Sequence, residues 1–88
     1  MNDAFIDACD RTIKRHSEAL SKLDAEFYKN LENLKERIYN NATEHEIFIS
    51  AFGVSELYQL RQKYRAEIDK HQRLKDGFIK ATEDKHET

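Results

Sequence analysis

NNATEHEIFISAFGVS, residues 40–55, is the stretch whose reading decides the fold. On either side of it lies a long, highly charged segment with apolar residues at helical spacing. Within it stand one of the two glycines, Gly53, and the densest apolar cluster of the chain: Ile47, Phe48, Ile49, Ala51, Phe52 and Val54. Asn40 and Asn41 are poor helix formers whose side chains favour turns. Thr43 followed three residues later by Glu46 has the form of a capping box, so a helix should begin at Glu44. Gly53 can adopt the left-handed conformation that ends a helix, and Ser55 can cap the next one. The expected course is a short helix over about 44–52, a corner at Gly53, and a long helix over about 55–83.

Upstream, Asn2 or Asp3 can cap a helix, and acids at positions 3 and 7 suit the positive end of its dipole. Ile6, Cys9, Ile13, His16, Leu20, Leu23 and Phe27 recur at alternating steps of 3 and 4, a heptad seam. A stutter at Phe27 carries the stripe on to Leu31, Leu34 and Ile38. No glycine or proline interrupts this segment, which predicts one helix over about 3–40. Acid-to-base pairs four apart (Asp7–Arg11, Asp10–Lys14, Glu18–Lys22) support its outer faces. Downstream, the stripe reads Leu57, Leu60, Tyr64, Ile68, His71, Leu74, Phe78 and Ala81, with a charged opposite face. Gly77 interrupts helical propensity without disturbing the phase. Residues 84–88 read as a mobile polar tail.

The fold class is therefore all-α: one domain over residues 1–88, a long antiparallel helical hairpin, coiled-coil-like, with a short helix at the bend. A hairpin gives each helix only one neighbour, so two copies are expected to close into a four-helix bundle as a homodimer. Pairing Ile38 with Leu57 would make the numbers of facing residues add to about 95. His16 and His71 would then lie apart.

The bulk numbers narrow the function. The 88 residues are 36% charged with a formal net charge of −2, which is neither the footprint of a typical nucleic-acid binder nor that of a DNA mimic. One cysteine, Cys9, permits no intrachain disulfide and fits a reducing compartment. The N-terminus has acids where a signal peptide has bases, and no run of about 18 apolar residues occurs. A cytoplasmic location and no membrane partner are expected. Phosphate loops, paired-cysteine motifs and recognisable nucleophile turns are missing from the sequence, so neither catalysis nor a cofactor is expected.

Three functions remain. The first is protein–protein interaction, as a small adaptor, assembly chaperone or inhibitor of a larger machine, anchored by Phe48, Phe52, Val54 and Tyr58 at the bend. The second follows from AFGVS, residues 51–55, which resembles the turn of a helix-turn-helix motif; the resemblance implies nucleic-acid contacts by Ser55, Arg61, Lys63, Arg65, Lys70 and Arg73. It covers five residues, and Gln59 and Gln62 stand where such a motif buries apolar side chains. The third is a metal-binding bundle resting on His16 and His71, with Glu83 and His86 at E-x-x-H spacing.

Overall fold

The computed structural model describes residues 3–86, with side chains over 4–83. Two helices make up the fold, α1 over Asp3–Tyr39 and α2 over Glu44–His86. They pack antiparallel along their length into a rod of 69 × 16 × 14 Å. The helical hairpin is as the periodicity predicts. The proposed Asn2 cap and the polar end at Glu87 and Thr88 lie outside the described residues, and α2 runs through residues 84–86.

The reversal is made by four residues, 40–43. Asn41 has φ 57°, the left-handed conformation, and is the only non-glycine residue with positive φ among those described. The Ala42 N–H donates to the Arg37 carbonyl at 2.9 Å and the Asn41 N–H to the Ile38 carbonyl at 3.3 Å. This pair of bonds is a Schellman motif, satisfying carbonyls that the end of α1 would leave open. Thr43 then caps α2: its Oγ1 accepts from the Glu46 N–H at 3.2 Å, and its carbonyl accepts the first helical bond from Ile47 at 3.0 Å. The predicted helix start at Glu44 is where the chain places it.

The expected corner at Gly53 does not form. Residues 44–86 are one helix of 43 residues, and neither glycine has positive φ. The short helix over 44–52 and the Ser55 cap are thus corrected to a continuous α2. Ile47, Ser50, Val54 and Leu57 keep steps of 3 and 4 straight through Gly53, so α2 stays in contact with α1 there. That packing outweighs the roughly 1 kcal/mol by which glycine disfavours a helix interior. The reversal has already been accomplished at Asn41, which leaves Gly53 nothing to turn.

Moving the bend changes the register. Arg61 meets Asp24 and Lys75 meets Asp10, so facing residue numbers add to 85 rather than about 95. The seam of α2 shifts accordingly. Arg61, Lys75 and Thr82 join Leu57, Tyr64, Ile68, His71 and Phe78 on it, while Leu60, Leu74 and Ala81 are exposed on another face. On α1 the predicted stripe is half-buried or better from Ile6 to Leu34, whereas Ile38 is exposed beside the turn. Burial is thin throughout: Cys9, 4% exposed, is the one buried apolar residue among those described, and no large side chain there is fully enclosed.

Candidate functional site

Three groups of side chains stand out along the rod. Nearest the bend, α1 and α2 present Ile38, Tyr39, Phe48, Ile49 and Phe52 to solvent. Phe48 is 66% and Phe52 57% exposed, and they lie four apart on one side of α2. Tyr58, 50% exposed, lies farther along the rod, and its hydroxyl accepts a hydrogen bond from Gln62 Nε2 at 3.0 Å. Val54, grouped with these by the sequence, does not share their surface. It is half-buried on the seam against α1, because the continuous helix puts it in phase with Ile47 and Leu57.

Next along the rod is a cationic knot. The Arg61 guanidinium binds Asp24 Oδ1 through Nε at 2.5 Å and lies 4.4 Å over the Phe27 ring and 5.6 Å from that of Tyr28. Phe27 in turn contacts Tyr58, ring centroids 6.4 Å apart. The Asp24 hydrogen bond lifts the already high pKa of Arg61, against the opposing effect of burial. Toward the open end, Lys75 Nζ reaches Asp10 Oδ1 at 2.7 Å, and this bond likewise raises its pKa. The missed signal was a matched spacing. Asp10 and Asp24 are 14 apart on one edge of α1, and Arg61 and Lys75 are 14 apart on α2. Once the short turn at 40–43 makes the helices antiparallel, opposite charges two heptads apart on both helices match at a single register.

Between these ion pairs the two histidines meet, contrary to the separation implied by the wider register. His16 and His71 have ring centroids 6.1 Å apart, edge to face, and His16 stands 5.5 Å from Tyr64. His71 Nδ1 lies 2.8 Å from the Glu67 carbonyl, which can only accept, so Nδ1 donates in this contact. The Glu67 carboxylate is 3.8 Å from the same nitrogen. Among the described residues no group of three or more His, Cys, Asp or Glu side chains is placed to hold a metal ion. The Glu83–His86 pair cannot be placed, because the His86 side chain lies outside the described residues.

The basic residues are dispersed. Arg61 is buried in the seam and Arg73 pairs with Asp69 at 3.1 Å. Lys63, Arg65 and Lys70 are exposed, and Ser55 is an exposed residue of an unbroken helix. The turn that the helix-turn-helix resemblance implies at residues 51–55 is therefore absent. No helix among the described residues is long and apolar enough to cross a membrane. Searches against protein-family models, curated proteins and solved structures return no match for the chain.

Proposed function

We propose that the chain is a non-catalytic protein–protein interaction module of the cytoplasm, a small adaptor, assembly chaperone or inhibitor, that associates with itself and presents its bend to another protein. The observation that carries this is the exposure of Phe48 and Phe52 on a rigid helix within about three turns of the chain reversal. Aromatic side chains held on a helix lose little conformational freedom on docking and are common anchors of interfaces. Asn41 and Thr43 fix the bend that displays them, so the surface is pre-organised. The single cysteine, Cys9, free and buried, fits the reducing compartment this reading places the chain in.

Replacing Phe48 and Phe52 together by alanine tests the reading. Partner capture should fall at least tenfold while the helical circular dichroism and the melting temperature barely change, since neither ring is buried in the hairpin. Capture that persists at wild-type strength would refute the bend as the contact surface.

A further inference from the structure

We propose that a second copy of this chain packs along the outer face of α2, antiparallel to the first about a two-fold axis near residue 65, with the two bends at opposite ends. The proposal rests on the reading that the hairpin self-associates, but it uses a face distinct from Phe48 and Phe52.

Beside the seam that faces α1, α2 carries a second heptad line. Ile49, Gly53, Leu60, Leu74, Gly77 and Ala81 all fall on it, with Lys63 and Glu67 at its centre, at steps of 3 and 4 or their multiples. Ile49, Leu60 and Leu74 on this line are exposed, and a Cβ added at either glycine would meet nothing within 4 Å. Two glycines in the interior of a helix, each disfavoured by about 1 kcal/mol, thus have no reason within the hairpin itself.

An antiparallel copy supplies one. α2 spans Glu44–His86, so its midpoint is residue 65, and Gly53 and Gly77 each stand 12 residues from it. With the axis there, Gly53 faces Gly77 of the second copy, where the backbones can approach closely, and Ile49 faces Ala81 of the second copy. Lys63 faces Glu67 of the second copy, and Glu67 its Lys63, two equivalent ion pairs at the centre. Leu60 meets Lys70 of the second copy, whose methylene stem can cover it while the ammonium reaches Glu56 one turn away.

Charge and area agree with this arrangement. The bend half, residues 24–61, holds seven acids and four bases, whereas residues 3–23 and 62–83 hold eight acids and ten bases. Opposite bends set the acidic half of one hairpin against the basic half of the other. The chain exposes 7016 Å², where a compact monomer of 10.5 kDa exposes about 5,400 Å². That surplus exceeds the roughly 800 Å² per partner that a stable interface removes.

A charge swap measured by sedimentation equilibrium tests the proposal. The wild-type chain should form dimers between low micromolar and near-millimolar concentration. Lys63→Glu and Glu67→Lys, each at an exposed or half-exposed site, should each weaken self-association roughly tenfold, because both central contacts become like-charged. Mixing the two variant chains should restore a heterodimer, since each faces the opposite charge in the other. Lys63 and Glu67 are also neighbours within one helix, but mixing cannot repair that contact, so rescue reports the contact between chains. A wild-type monomer across the range, single variants that dimerise like wild type, or a mixture no tighter than either variant would each overturn the proposal. The Phe48→Ala/Phe52→Ala chain should keep its dimer mass. If the wild type is monomeric and that variant still loses partner capture, the second-copy proposal fails and the bend reading stands.

Discussion

Asn41 carries the hairpin's reversal because an asparagine tolerates the left-handed region better than other residues with a Cβ. Asn41→Val should therefore cost about 1–2 kcal/mol, read as a lower urea midpoint at unchanged slope, while Asn41→Gly should be neutral or stabilising. Thr43→Ala removes the bond to the Glu46 N–H and should cost about 1 kcal/mol. Lys75 gives a pH dependence of known sign. Its pKa is raised by Asp10, so the folded chain holds this proton more tightly than the unfolded one. The resulting stabilisation is fully present below the unfolded lysine value, about 10.4, and is lost as pH rises through the folded one. Melts taken on either side of that window should show wild type losing more stability on alkalinisation than Lys75→Met, and equal losses would exclude the contribution.

The two helices show how far sequence patterns carry. α1 was legible from its steps of 3 and 4 because most of its apolar residues fall on one line, and the Asn-Asn-x-Thr-x-x-Glu run marked where it stops and α2 starts. α2 was less so. Its apolar residues serve two lines, and a single stripe drawn through Leu57, Leu60, Leu74 and Phe78 mixes them. Gly53 added a second stop signal that long-range packing overrides, since local propensity near 1 kcal/mol yields to a seam continuous from Ile47 to Thr82. The apolar cluster at the bend was visible in the sequence, but whether Phe48 and Phe52 cap the hairpin or face solvent was not, and Val54 could be assigned to the seam only once the helix was known to be continuous. Two predictions belong here. Gly53→Ala should raise the hairpin's stability by about 0.5–1 kcal/mol in dilute solution, the reverse of what a left-handed cap would give. Asp24→Leu and Arg61→Met should each lower the melting temperature by stranding a charge in the seam. The double variant should recover most of the loss. If the double variant melts as low as the worse single one, the pair does not act as a unit.

As a whole the molecule is a rod 69 Å long and about 15 Å across, and its interior is a single layer of side chains between two helices. Such a shape cannot enclose a core: each seam residue has neighbours on one side and solvent close on the other. Its polar seam, from Asp24–Arg61 through His16–His71 to Asp10–Lys75, contributes more to choosing a register than to burying apolar surface. On the proposed dimer, much of the stability would come from association, and association makes stability depend on concentration by mass action. For a folded dimer melting to unfolded monomers, each tenfold rise in concentration adds about 1.4 kcal/mol per dimer, enough to raise the melting temperature by several degrees in a chain of this size. Melting curves recorded at low-micromolar and near-millimolar protein should therefore diverge, with both helices lost in one transition. The Lys63→Glu chain should melt lower and with a shallower dependence over the same range. A wild-type melting temperature independent of concentration would mean that the lone hairpin is the stable unit, and that its thin seam of half-buried residues suffices.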